Sequence, residues 1–429
     1  MRIWPTRRTL KRWAIGIAIV LGVLLIANAI MAWQTTAREN ALKAAIRAQG
    51  DPASIADLKP EPIPDDRNAA AQIAALSSEL KGFEKDHITF LEHTDLGKAY
   101  DKSDALPTVE QAAAMRKILD KHEAMKGAID RAAACNAWAS VADYSVDHPA
   151  FVEQLLKRIQ NFRTVMRYAR WELDVLAAEG KRDDALRRGI DMLRLSRLHE
   201  SEPTLVAYLV TVAVRGTAIE GLDKTLAAGP VSAEVRQALD DELARSDRPG
   251  QFGAILRLER GAAMDASLAV LGPVSRMLGW PAKRHFLGAY EMMGEVIALA
   301  DGPWPEFRKH TKTWGARDVD TGHGVLANLL APAIAASVAA RDRDLALIRS
   351  LRVLNALQGF EEREGRPASG LKDAGLSGDA TIDPVTSAPL IATRGERGWS
   401  VYSVGKNEKD DGGDLDDWLD VGVGTGRGK

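Results

Sequence analysis

Leu176–Leu198 reads LAAEGKRDDALRRGIDMLRLSRL, and its punctuation decides the fold class. A helix ends at Gly180, the one residue type that leaves a helix through left-handed backbone without penalty. A charged turn follows, and Asp184-Ala185 opens a second helix. The stretch predicts an αα-hairpin.

Working outward, the same signal dominates from Thr35 to about Arg341. Ala-rich stretches with apolar residues three and four apart are broken by Gly and Pro. They predict helices over 36–49, 65–82, 107–137, 149–179, 182–199, 204–228, 231–246 and 250–271. Strand-like alternation is almost absent. The Gly180 turn resembles that of a tetratricopeptide-type repeat, but it occurs once, with no 34-residue period around it, so it reads as an ordinary helical hairpin. Lys59-Pro60-Glu61-Pro62-Ile63-Pro64 predicts a stiff extended strap, with Asp65 or Asp66 capping the next helix. Cys135, the only cysteine, excludes an intrachain disulfide and reads as a small helix-face residue. Between 272 and 325 the pattern loosens at Gly272-Pro273, Gly279-Trp280-Pro281, Gly302-Pro303-Trp304-Pro305 and Gly322-His323-Gly324. Trp280, Trp304 and Trp314 lie in this region, where they either pack a loop-rich edge or line a groove.

At the N-terminal end, Trp13–Trp33 reads WAIGIAIVLGVLLIANAIMAW, 21 residues without a charge. At 1.5 Å per residue this crosses a hydrocarbon core of about 30 Å as a helix that satisfies its own backbone. Arg2, Arg7, Arg8, Lys11 and Arg12 precede it, so the positive-inside bias keeps residues 1–12 cytoplasmic and sends the rest across. Ala27-Asn28-Ala29 also fits a signal-peptide cleavage site, but the apolar run continues past it, favouring a retained single-pass anchor in the inner (cytoplasmic) membrane. About 395 residues remain beyond it, room for a sizeable core. Without the stub's five cations the formal net charge goes from −2 to −7, which argues against a nucleic-acid surface.

The last 85 or so residues differ in kind. An amphipathic helix is predicted over 343–363, with Leu347, Leu351, Leu354, Leu357 and Phe360 on one face and a stop at Gly365 and Pro367. Two strands follow, Pro389–Thr393 and Trp399–Val404, joined by a hairpin connection over 394–398. This order, with "EGRPASGL", "DPVTSAPL" and "WSVYSVGKNEKDDGGD", resembles the globular part of type II secretion pseudopilins. It also resembles the tail of a group of large membrane-anchored bacterial proteins common in planctomycetes. The likeness covers 343–421. It implies a calcium ion bound in the acidic loop, with Asp411, Asp414, Asp416 and Asp417 as oxygen donors and Asn407 or the Val404 carbonyl as additions. The loop is not an EF-hand: aligning Asn407 with position 1 puts Lys409 at position 3 and Trp418 at position 12. A pseudopilin's hydrophobic helix leads directly into this domain behind a Gly-Phe-Thr-Leu-x-Glu processing site. Here the anchor lies some 310 residues upstream, which implies a borrowed module.

Catalytic patterns are sparse. His122-Glu123 lacks a second histidine at position 126, and His87 and His93 are six apart, so neither makes a zinc pair on one helical face. There is no nucleophile elbow, Walker loop or dinucleotide fingerprint, and Gly422–Gly426 has no helix to follow. Glu259-Arg260 and His199-Glu200 read as surface or intrahelical ion pairs. The expectation is a mainly α protein: a cytoplasmic stub (1–12), a transmembrane signal-anchor (13–33), an α-helical extracytoplasmic domain (34–341) and a small α+β module with a β-hairpin (342–429). Its expected role is a structural or interaction protein of the bacterial cell envelope with an envelope protein partner. The alternatives are a secretion-system accessory and an envelope enzyme with its site in 272–325.

Overall fold

A single helix, α1 (Arg7–Ala48), carries the chain from the apolar segment into the body without a break. The structure is a computed structural model that describes residues 7–266, 280–315, 320–376, 378–415 and 419–424. Within them the chain is mainly α. After α1 come α2 (Ala69–Ala74), α3 (Ser77–His93), α4 (Asp95–Asp101), α5 (Val109–Lys121), α6 (Glu123–Ala134), α7 (His148–Ala178), α8 (Arg182–His199), α9 (Leu205–Ala227), α10 (Ala233–Ser246), α11 (Gln251–Ala263), α12 (Trp280–Ala300), α13 (Trp304–Lys312) and α14 (Val325–Glu364). Strands β1 (Ile391–Gly395), β2 (Gly398–Ser403) and β3 (Val421–Gly424) form an antiparallel sheet in the order β1-β2-β3.

Local chemistry explains the boundaries. The hairpin turns at Gly180, whose φ of 78° is left-handed. Asp147 caps α7 through the Ala150 amide with Pro149 in the first turn, Thr204 caps α9 and Thr108 with Gln111 closes a capping box on α5. Several expected helices divide or shift. The run over 65–82 becomes α2 and α3, split at Ala75-Leu76, and it is Asn68, not Asp65 or Asp66, that caps α2. The run over 107–137 breaks at His122, and Cys135 lies just past α6 as its C-cap. The helix expected over 343–363 starts at Val325 instead, because Ala-rich turns upstream continue it through Pro332.

Two cores share α14. The larger joins residues of α2, α3 and α5 to α10 with Leu351, Leu354 and Leu357 of α14 and with Trp399, Val401, Val421 and Val423 of the sheet. The smaller gathers Tyr208, Phe252, Met292, Phe307 and Trp314 around Ala331, Ile334 and Val338 of α14. The sheet therefore packs on the same long helix that α9, α10, α12 and α13 pack on. Among the described residues, three helices are long and apolar enough to cross a membrane: α1, α9 and α14. Half of the apolar window of α9 is buried in the body, and 39% of that of α14, whereas none of the α1 window is. Trp13 and Trp33 bracket that window, 69% and 72% exposed. Beyond it α1 docks on the body through Lys283 of α12, which reaches Thr36 Oγ1 and Glu39, through Lys43–Asp265, and through Leu42 and Ile46 clustered with Phe286 and Tyr290.

Candidate functional site

An opening lies in the seam between α13, α14 and the C-terminal sheet. Helix α13 is amphipathic by spacing: Phe307 and Thr311 turn inward, Arg308 lies half-buried in the seam, and Lys312 turns outward. Its inward end is fixed by Asp342 of α14, whose carboxylate accepts from Trp304 Nε1 (2.8 Å), Arg308 Nε (2.6 Å) and Arg341 Nη1 (3.0 Å). Arg341 also lies over the Trp304 ring, 3.5 Å from its centroid. Burial pushes the Asp342 carboxyl up, opposed by Arg341 and Arg308. Arg308 then reaches into the C-terminal module, donating to the Val385 carbonyl (2.8 Å) and to Glu408 (3.2 Å), and Lys312 pairs with the same Glu408 at 3.0 Å.

Below these contacts opens a cleft of about 680 Å³, within the usual range for ligand sites. One wall is α14 from Pro332 to Arg343, largely alanine; the other carries Val385, Ser403, Gly405 and Val421. Arg308, Lys312, Arg343 and Lys406 face it against one carboxylate, Asp342. On the other side of α14 a second cleft of about 550 Å³ has the opposite character: Asp104, Glu220, Asp223, Asp344 and Asp420 against Arg343.

Behind the seam, charges are buried in pairs. Arg215, 1% exposed, lies between Glu200 and Asp344, and Glu200 also receives Arg248. Burial pushes the Asp344 carboxyl up to about 6 although Arg215 opposes it. Arg349 of α14 pairs with Asp247 at 2.9 Å. A neighbouring cluster holds Glu202, whose carboxylate takes Trp138 Nε1, Ser140 Oγ and Arg158. Beside it His199 stacks on Phe162 (3.8 Å, 8°) with Nδ1 2.6 Å from Thr211 Oγ1. Since that hydroxyl already donates to the Ala207 carbonyl, Nδ1 carries the proton. Burial depresses the ring to about 4, so it is neutral near pH 7. His199-Glu200 is thus no surface pair, and each residue belongs to its own buried network. Arg260 is buried and Glu259 half-buried, and they turn apart, Glu259 to the Leu205 amide and Arg260 to Asp51. Acids matched by arginines and a histidine walled in by aromatics make a structural framework.

Among the tryptophans of 272–325, Trp304 and Trp314 pack with the smaller core and Trp280 opens α12; Gly272-Pro273 and Gly279 lie outside the described residues. In the acidic loop, Asp411 accepts from Asn407 Nδ2 at 2.6 Å, and Asp416 and Asp417 lie outside the described residues. The loop is organised by Asp420, a residue that sequence reading passes over. Fully buried, its carboxylate accepts from the Asp411 amide (3.1 Å) and the Gly413 amide (2.8 Å). Burial, with Asp410 and Asp411 nearby, pushes its pKa up. Among the described residues, no group of three or more His, Cys, Asp or Glu side chains is placed to hold a metal ion. Compared with protein-family models, curated proteins and solved structures, the chain matches none.

Proposed function

We propose that this protein is a membrane-anchored extracytoplasmic interaction protein of the bacterial cell envelope, acting by binding and not by catalysis. The observation that carries this reading is α1: one helix is both the exposed apolar span and, through Thr36, Glu39, Lys43 and Ile46, a docked element of the body. Such a joint holds the body and its seam close to the bilayer in a fixed attitude. The five cations before Trp13 favour a cytoplasmic N-terminus. The buried carboxylates described above are already engaged by arginines or backbone amides, a pattern that suits a scaffold.

Cysteine labelling tests the orientation. In a Cys135→Ser background, Val109→Cys (Val109 is 82% exposed) should react with a membrane-impermeant maleimide in intact spheroplasts, and Thr6→Cys only after lysis. The reverse pattern overturns the orientation, and an intact mass lacking residues 1–29 overturns the retained anchor.

A second reading, a secretion-system accessory, is favoured by a long helix laid on a three-stranded antiparallel sheet with an acidic loop between β2 and β3. Co-purification with a secretion apparatus supports it. Calcium in that loop belongs to the same reading, with Asp411, Asp414, Asp416 and Asp417 as proposed donors. Repulsion among Asp410, Asp411 and Asp420 is what a cation would relieve. A full-chain melting midpoint identical in calcium and in chelator would remove it.

A further inference from the structure

We propose that the seam cleft binds an amphipathic anion, a carboxylate or phosphate head on an unbranched apolar tail, and that Glu408 occupies the head-group position until such a ligand displaces it. The inference goes beyond the envelope reading and does not depend on it.

The wall formed by α14 supplies the place for the tail. Pro332, Ala335, Ala336, Ala339 and Ala340 present only apolar side chains, Pro332 and Ala336 of them exposed. A helix face left uncovered in the middle of a body, with room beside it, gains from covering by apolar surface. The small side chains leave width for a chain of methylenes but offer no polar partner along its length.

The charges supply the head-group end. Four cations against one carboxylate line this cleft in a chain whose net charge is −2. Asp342, that carboxylate, is consumed by Trp304, Arg308 and Arg341, and Glu408 answers Arg308 and Lys312, so the unbalanced positive charge falls at Lys406. Lys406 makes no hydrogen bond or ion pair among the described residues, and its side chain stays exposed.

Glu408 shows what chemistry the cations accept. Its carboxylate spans Arg308 (3.2 Å) and Lys312 (3.0 Å), and Lys312 and Arg308 hold its pKa below the usual range. Its backbone, though, is left-handed, with φ of 59°; among the described non-glycine residues only Ser387 shares this. A glutamate in that region stays there only if something else holds it, and the two ion pairs are what it gains. A ligand head group exchanges one anion for another at the same cations, lets the Gly405–Glu408 turn relax, and adds the burial of its tail.

The test uses the full chain in lipid nanodiscs, with ligand-observed NMR and empty nanodiscs subtracted. Octanoate and octyl phosphate are the probes, which separate a carboxylate head from a phosphate one; octylammonium and acetate are the controls. At least one probe should bind, acetate should be weaker by about tenfold or more, and octylammonium should not rise above the empty discs. Glu408→Gln should tighten the bound probe by about three- to tenfold, the scale of an exposed ion pair, and Lys406→Glu should weaken it by a similar factor. Ala339→Leu, which fills the wall, should abolish binding with the helical spectrum unchanged. Equal binding of octylammonium and octanoate, or a probe affinity that neither Glu408→Gln nor Lys406→Glu moves, overturns the proposal. Lys406 is exposed, so its variant tests the idea even if Ala339→Leu disturbs the fold.

Discussion

Arg215 is a side chain whose loss the interior tolerates poorly. It neutralises Glu200 and Asp344 in the interior, so Arg215→Ala leaves Asp344 without its ion pair and Glu200 with Arg248 alone. The expected cost is about 3–5 kcal/mol in urea unfolding, against less than about 1 kcal/mol for Arg366→Ala, whose side chain is 59% exposed. His199 makes a pH prediction. Its folded pKa, about 4, lies below the ordinary 6.5, so the unfolded chain takes up the proton first. Stability tied to this ring is present above pH 6.5 and is lost as pH falls towards 4, by up to about 3 kcal/mol. Asp344, raised to about 6, has the opposite sign and loses stability as pH rises through that value. The comparison therefore has to be a difference: His199→Gln should lose less stability than the parent between pH 6.5 and 4.5 in parallel urea titrations. An unchanged difference across that range would show the ring is not buried neutral. None of this was legible in the sequence, where His199-Glu200 is two polar letters at a helix end.

At the scale of elements, the sequence was most readable where a local residue ends a local pattern. Gly180 placed the α7–α8 turn, and Gly365, with φ of 66°, ends α14 at the expected stop. The hairpin pairs Ile391 with Tyr402 through Gly395 with Gly398, leaving a two-residue turn, Glu396-Arg397, tighter than the five-residue connection expected. β3 went unseen because Val421–Gly424 is four residues of Val and Gly with no pattern of its own; pairing with β2 makes it a strand. Gly422 marks that dependence. A Cβ there would collide with the Val401 carbonyl and the Tyr402 side chain. Gly422→Ala should therefore open β2–β3, costing about 1–3 kcal/mol and speeding amide exchange at Val401 and Val423 while α7 and α8 amides stay protected. Equal protection of the two strands in parent and variant would count against the close packing described.

For the whole molecule, the span and the fold are separable. The apolar window of α1 buries nothing against the body, and its docking contacts begin at Thr36. A chain starting at Thr35 should be soluble, keep its helical circular dichroism, and unfold within about 0.5 kcal/mol of the parent; aggregation or a lost cooperative transition would show that the span supports the body. By itself the sequence determined the membrane-length apolar N-terminal helix, the helical class, the Gly180 hairpin and the two-stranded core of the C-terminal module. Each of these is written in neighbouring residues, as an unbroken apolar run, a 3.6-residue period or a turn residue. Only the tertiary structure decided that α14 belongs to both cores, that His199, Glu200, Arg215 and Asp344 are buried, that Asp420 organises the acidic loop, and that a cationic, alanine-walled cleft opens at the seam. Those depend on groups between seven and more than two hundred positions apart, brought together by packing, and no local periodicity records which distant charge a buried one will meet.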